Sequence, residues 1–171
     1  TDCKGSGTQK KREKVSVKIP GGIEDGMKIR LSERGNKGIN GGPNGDLYII
    51  IRVKDHKDFE RRGNDLVYYA GISVFKALLG GDVYVPKLQG GKVKLNVPEG
   101  TQNDSLFRIK KEGLPDLNTG RKGDLYIHVK VEIPKNLNKH EKNVLSDLAK
   151  ERGEELNRPT SLYEKLKNAF S

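Results

Sequence analysis

The residues that could carry out catalysis are few and scattered. Three histidines, His56, His128 and His140, stand in unrelated contexts, and no Ser, Asp or Cys occupies a nucleophile elbow or a recognisable acid–base pair. Asp46 and Asp124 each precede Leu-Tyr-Ile, and a carboxylate duplicated in this way is typical of strand entry or of a turn. The sequence therefore predicts a protein that is not an enzyme.

Two short segments resemble ligand sites only superficially. Gly90-Gly91-Lys92 lacks the glycine spacing and the following Ser or Thr of a phosphate loop, so it predicts a hairpin turn. Cys3 is the only Cys, whereas a tetrahedral zinc site needs about four sulfur or imidazole ligands. We therefore expect no metal or other cofactor in this chain. Two readings of Cys3 remain open: an accidental Cys, or the last ligand of a Cys-x-x-Cys-x-Gly-x-Gly knuckle in a longer protein.

Composition limits the class of protein further. The 171 residues include 33 Lys and Arg against 23 Asp and Glu, and only 6% are aromatic. The formal net charge of +10 favours polyanions, but few aromatic residues lie among the cations to stack on bases, which disfavours a nucleic-acid partner. No apolar run approaches the roughly 20 residues of a membrane helix, and no basic and apolar leader opens the chain. We expect a cytoplasmic protein with no membrane partner.

An internal repeat organises the sequence. Residues 15–22 recur as residues 93–100, and Gly-Asp-Leu-Tyr-Ile at 45–49 recurs at 123–127, both at an offset of 78 residues. Apolar residues alternate with polar ones over 15–19, 27–31 and 47–53 in the first copy, and over 93–97, 106–109 and 125–131 in the second. The sequence therefore predicts a mainly β protein built from two small β-sandwich modules in tandem.

Helices are predicted at three places. Residues 73–79, closed by Gly80-Gly81, can form about two turns, and Asn138 with Glu141 spells a capping box for a helix that runs to about Arg152. The terminal segment 161–170 carries its apolar residues on one helical face. A helix of only about 10 residues is not stable alone in water, so we expect it to pack either on its own chain or on a partner subunit.

These motifs together resemble the carboxy-terminal substrate-binding region of DnaJ-type co-chaperones, a heat-shock protein family. The resemblance rests on residues 17–31, 45–49, 56–66, 77–81, 97–102 and 123–126. It implies two tandem β-sandwiches of the DnaJ C-terminal type with short helices and a terminal dimerisation helix. It implies four divisions: a remnant of the zinc-finger region and linker at 1–10, and a client-binding first sandwich at 11–88. These are followed by a second sandwich plus helix at 89–152, and a linker with the dimerisation helix at 153–171.

The resemblance also implies how such a chain acts. The first sandwich captures extended apolar segments of unfolded client polypeptides by strand addition, a DnaK-type chaperone receives them, and a homodimer holds two arms together. Matching the family's groove to this sequence selects Val15 and Ile49, with Val17 and Leu47 as weaker candidates that would otherwise fill the sandwich core. The dimerisation residues implied by the match are Leu162, Tyr163, Leu166 and Phe170.

This sequence lacks some features of the family, which limits the properties that the resemblance implies for it. It has no His-Pro-Asp triplet, the motif of the J domain that stimulates a DnaK-type ATPase, and its single Cys3 cannot hold zinc. Zinc is expected only in an intact parent protein that contains the zinc finger. The alternatives that remain are a purely structural dimerisation scaffold and a basic nucleic-acid-binding module.

Overall fold

A computed structural model of the protein describes residues 12–156, apart from the side chain of Asn40. The chain divides into two compact units after Val131. The elements in chain order are β1 (Lys28–Leu31), a 3-10 turn (Ile39–Gly41), β2 (Leu47–Ile50), β3 (Phe59–Arg62), β4 (Asp65–Ser73), α1 (Val74–Leu79), β5 (Gly81–Pro86), β6 (Lys92–Val97), β7 (Leu106–Ile109), β8 (Leu125–Glu132) and α2 (Lys139–Glu151).

Within residues 12–156, eight strands form three sheets. β1 and β2 make a two-stranded antiparallel sheet, β5 and β6 make another, and the third has four strands in the order β3-β4-β8-β7. The turn between β5 and β6 contains Gly90 and Gly91, both with positive φ, and is closed by a hydrogen bond from the Lys87 N–H to the Gly91 carbonyl. The predictions of a mainly β fold and of this hairpin turn are therefore confirmed.

Both described helices lie where the sequence predicts them, and each begins at a capping residue, of which only Asn138 was predicted. The Ser73 hydroxyl accepts the Lys76 N–H of α1, and Asn138 and Glu141 form a reciprocal capping box at the start of α2. α1 ends at Gly80, whose φ of 76° is easily reached only by glycine. α2 ends one residue before Arg152, as predicted.

The hydrophobic core of the described residues contains side chains from both sides of residue 88. Its buried residues come from β3, β4, α1, β5, β6 and β8: Phe59, Leu66, Ala70, Ile72, Ala77, Val85, Leu95, Val97, Leu125, Ile127 and Val129. The boundary expected at residue 88 falls between β5 and β6, inside this core. The four-stranded sheet likewise takes β3 and β4 from one side of that boundary and β7 and β8 from the other. The core therefore extends across residue 88, and the expected domain boundaries stay a prediction.

One predicted strand is wrong, and another is shorter than predicted. Residues 15–19 form no strand, and Val15 is 38% exposed, because nothing in the described part of the chain pairs with this segment. Its counterpart β6 pairs along its whole length with β5. β2 ends at Ile50 rather than at residue 53, although the Ile51 N–H still donates to the Met27 carbonyl at 2.8 Å.

Candidate functional site

The hairpin of β1 and β2 is repeated as the hairpin of β7 and β8. Ile29 pairs with Ile49 in the first hairpin, and Phe107 pairs with Ile127 in the second. Both members of each pair are shifted by 78 residues, which is the offset of the sequence repeat. The internal duplication that the sequence predicts is therefore confirmed at the level of strand register.

The duplicated aspartates close the two hairpin loops. A carboxylate oxygen of Asp46 accepts the Glu33 N–H at 3.1 Å, and one of Asp124 accepts the Lys111 N–H at 2.8 Å. Glu33 and Lys111 share a left-handed conformation, with φ of 59° and 61°. Left-handed backbone is strained for residues other than glycine, so each aspartate offsets this strain by satisfying a backbone N–H. Their sequence interpretation as turn residues is confirmed.

The two hairpins differ sharply in burial. Leu125 and Ile127 of β8 are 1% and 0% exposed, whereas their counterparts Leu47 and Ile49 of β2 are only partly buried. β8 has β7 on one edge and β4 on the other, while β2 pairs only with β1 within the described residues. The missing neighbour leaves the first hairpin with an apolar face that is not sealed.

The open edge of β2 carries the main-chain groups of two residues. Alternate residues of a strand direct their N–H and C=O groups to opposite edges. Because the Ile51 N–H bonds to Met27, beside β1, the groups of Ile49 also point toward β1. Those of Tyr48 and Ile50 point to the edge that has no partner among residues 12–156. This edge offers hydrogen bonds to an added strand.

The four client-binding candidates lie in two places. Leu47 and Ile49 share one face of β2, opposite Leu31 and Ile29 of β1. Val15 lies in the segment before the hairpin, which pairs with no described strand, and Val17 in the same segment is partly buried. The structure thus brings Leu47 and Ile49 together on the hairpin, and the binding role of all four residues stays a prediction.

Two exposed residues of β2 were not selected from the sequence. Tyr48 and Ile50 are 57% and 59% exposed on the face opposite Leu47 and Ile49. All four positions of β2 are apolar or aromatic, without the alternation of polar residues expected for a strand with one solvated face. This uninterrupted run is the sequence signal that both faces of β2 are apolar.

Several other predicted features fall outside the description. The dimerisation candidates Leu162, Tyr163, Leu166 and Phe170, and also Cys3, lie outside residues 12–156. Within that range, no group of three or more His, Cys, Asp and Glu side chains is arranged to hold a metal ion. No helix described for this chain has the length and apolar character needed to cross a membrane.

Arg61 fixes the loop that leads into the first hairpin. Its guanidinium donates to the carbonyls of Gly22 and Ile23 at 2.6 and 2.7 Å. The same loop lies tightly on Pro115, because a Cβ added to Gly22 would stand 1.9 Å from the Pro115 carbonyl oxygen. These contacts hold the first copy of the repeat against a loop of the second.

Comparisons with known proteins match most of the chain. A family model described as the DnaJ C terminal domain matches residues 3–134. A curated relative named Chaperone protein DnaJ from Leptospira biflexa is 44% identical over 154 residues, which cover 90% of this chain and 41% of the relative. Its namesake from Bacillus mycoides is 44% identical over 170 residues, 99% of this chain and 45% of that relative. The chain spans less than half the length of these relatives.

Proposed function

Because this chain belongs to the DnaJ C-terminal domain family, we propose that it is the part of a co-chaperone that holds unfolded polypeptide segments. A client segment would add to the open edge of β2 as a further strand. Main-chain hydrogen bonds of this kind do not depend on the client's sequence. The apolar faces of β2 then favour clients with large aliphatic or aromatic side chains.

A single observation carries this proposal: two copies of one hairpin differ in what covers them. In the second copy, β4 occupies the edge of β8, and Ile127 is fully buried. In the first copy, the corresponding edge of β2 has no strand beside it in the described residues, and Ile49 is only partly buried. A client strand on β2 would stand where β4 stands in the second copy.

The remaining parts of the proposal follow from family membership. We propose that the intact protein passes clients to a DnaK-type chaperone in the cytoplasm, with zinc bound only where a complete zinc finger is present. It would act as a homodimer through Leu162, Tyr163, Leu166 and Phe170. Two arms raise the effective concentration of a weak site without new contacts. The first copy would then serve as the client-binding module and the second as its support.

The experiment compares two aspartate substitutions on one strand. Ile49→Asp places a charge on the partly buried face of β2, whereas Ile50→Asp places the same charge on the exposed opposite face. The full 171-residue chain is mixed with a chemically denatured model enzyme, and aggregation is followed by light scattering. We expect Ile49→Asp to lose most of the suppression and Ile50→Asp to lose less.

Circular dichroism of both variants is the control for folding. If Ile49→Asp stays folded and suppresses aggregation as well as the parent chain does, the hairpin is not the client site and the proposal fails.

A further inference from the structure

A concave surface lies next to the segments that flank the β1–β2 hairpin. It is a cleft of about 970 Å³ formed by residues 20–25, residues 53–61 and side chains that follow them, among them Leu66, Tyr69, Leu88 and Leu114. No residue of β1 or β2 lines it. The cleft is therefore separate from the candidate client site.

The floor of the cleft is apolar. Val53 and Tyr69 line it while remaining almost half exposed, and Leu88 and Leu114 are partly buried beside them. Phe59 also lines the cleft, and its buried ring packs against His56 and Tyr68 with centroids 5.2 and 5.5 Å apart. A cleft of this size, with an apolar floor open to solvent, has room for one or more large side chains.

The rim of the cleft is acidic although the chain as a whole is basic. Five carboxylates and three cations line the cleft, which gives a local net charge of −2 with His56 neutral: Glu24, Asp25, Asp55, Asp58 and Glu60 against Lys54, Lys57 and Arg61. Three of these carboxylates have ion-pair partners: Glu24 with Arg61 at 3.6 Å, Asp58 with Lys57 at 3.8 Å and Glu60 with Arg62 at 3.0 Å. The guanidinium of Arg61 is already bound to two carbonyls of the 20–25 loop. Asp55 has no hydrogen bond or ion pair within the described residues, so its charge is available to a ligand.

The acidic character of this rim is not a requirement of the duplicated loop. Asp25 accepts the Val53 N–H at 2.8 Å, and its counterpart Asn103 accepts the Val131 N–H at 3.0 Å. A neutral amide oxygen thus performs the same structural task in the second copy. Ile133 stands at the place that corresponds to Asp55. The charges at 25 and 55 are therefore properties of this cleft and not of the fold.

We propose that this cleft binds an extended polypeptide segment in which a large apolar side chain is flanked by Lys or Arg. The apolar side chain contacts the floor, and the flanking cations meet the carboxylates of the rim. A polyanion would be repelled by the same carboxylates. The proposal goes beyond the hairpin site because it gives the chain a second polypeptide site with its own charge preference.

Two labelled peptides test the charge preference. One has the sequence Lys-Lys-Leu-Phe-Leu-Lys-Lys and the other has Glu in place of every Lys, so that the apolar centre is the same. Binding to the full chain is measured by fluorescence anisotropy at 0.05 and 0.5 M salt. We expect the Lys-flanked peptide to bind about 10-fold more tightly at low salt and to lose most of this advantage at high salt.

Substitutions then assign the binding to the cleft. Asp55→Lys should weaken binding of the Lys-flanked peptide roughly 3- to 5-fold, as expected for exposed charge pairs. Glu99→Lys is the control, because it makes the same charge change in the loop of the second copy that corresponds to residues 20–25, away from the cleft, and should leave binding unchanged. Val53→Asn, which removes apolar surface without adding charge, should weaken binding of both peptides.

The outcomes separate this proposal from the hairpin proposal. If Ile49→Asp abolishes peptide binding while Asp55→Lys leaves it unchanged, the peptide binds at the hairpin and the cleft proposal is wrong. Equal affinity for the two peptides at low salt would overturn it as well. If Ile49→Asp leaves aggregation suppression intact but Asp55→Lys weakens peptide binding, the cleft proposal stands and the hairpin proposal falls.

Discussion

Ile49 and Ile127 occupy the same position in two copies of one hairpin, but only Ile127 is completely buried. Their partners across the hairpin, Ile29 and Phe107, also correspond. The difference arises one strand farther away, where β4 flanks β8 and no described strand flanks β2. The same local sequence thus gives a core strand in one copy and a strand with an accessible face in the other.

This contrast predicts that replacing each isoleucine by Ala lowers the free energy of unfolding by a different amount. Ile127→Ala should lower the free energy of unfolding by about 3 kcal/mol, because it leaves a cavity in a sealed core. Ile49→Ala should cost roughly 1 kcal/mol, since a partly exposed side chain loses less burial. Urea unfolding of the two variants measures both values. Equal losses would mean that Ile49 is as well packed in solution as its counterpart.

The open edge predicts a difference in amide exchange. The Ile50 N–H points to the edge of β2 that no described strand covers, whereas the corresponding His128 N–H points toward β4. We therefore expect the Ile50 amide to exchange with deuterium at least 100-fold faster than the His128 amide. Addition of a client peptide should slow exchange at Ile50 and leave His128 unchanged. Slow exchange at Ile50 in the free chain would show that another segment already covers this edge.

Gly22 and Gly100 provide a matched pair for the contact with Pro115. Both have positive φ, 84° and 70°, so replacement by Ala costs a similar amount of about 1 kcal/mol in backbone strain. Only at Gly22 does the new Cβ meet the Pro115 carbonyl, while Gly100 has open space. Gly22→Ala should therefore destabilise the fold by roughly 1–3 kcal/mol more than Gly100→Ala in thermal or urea unfolding. Equal destabilisation would contradict the close approach.

The hydrogen bonds of the Asp116 carboxylate predict that part of the folding stability is lost at acidic pH. Hydrogen bonds from the Thr119 N–H and hydroxyl, then from Asn64 and the Asn118 N–H, lower the pKa of Asp116 below its ordinary value of 3.8. A lowered pKa in the folded state gives stability that is present above the ordinary value and is lost as the pH falls through the folded-state value. Asp116→Asn should therefore be less stable than the parent at pH 7, and the difference should shrink below about pH 4.

Melting curves of both proteins between pH 7 and pH 2 measure this effect. Asp55→Asn is the control, because the Asp55 carboxylate has no hydrogen bond within the described residues. A constant difference between the Asp116 variant and the parent at every pH would contradict the assignment.

Removal of residues 157–171 tests the proposed homodimer. If Leu162, Tyr163, Leu166 and Phe170 form the interface, the shortened chain should sediment as a monomer while the full chain sediments as a dimer. Leu166→Asp is a subtler variant that should raise the dimer dissociation constant at least 10-fold, because it buries a charge in an apolar contact. An unchanged sedimentation coefficient for both variants would place the interface elsewhere.

The repeat made the two hairpins predictable, because alternation of apolar residues and a fixed offset define both strand and register. The same pattern gave a wrong strand at 15–19, since alternation describes a face to bury but not the strand that pairs with it. β6, with the corresponding sequence, is a strand because β5 lies beside it.

Other features depend on tertiary context that the sequence pattern does not carry. β4 was not predicted, because Leu66 and Val67 are adjacent and both buried, which removes the alternation of a half-buried strand. The cleft was not predicted either, because its acidic rim comes from two segments about 30 residues apart in a chain with a net positive charge. The sequence also could not distinguish the burial of Ile49 from that of Ile127, because both residues follow Gly-Asp-Leu-Tyr.

The exposed border of β2 is only four residues long. A long flat border of this kind would let copies of the chain polymerise into fibres, because each strand could template the next. Glycines and Pro43 precede β2, and Arg52 follows it closely. The edge therefore offers few main-chain hydrogen bonds, and a charge lies near one end of it. Under the proposed function, so short a border would hold an extended client only weakly and would also disfavour self-association of the chain.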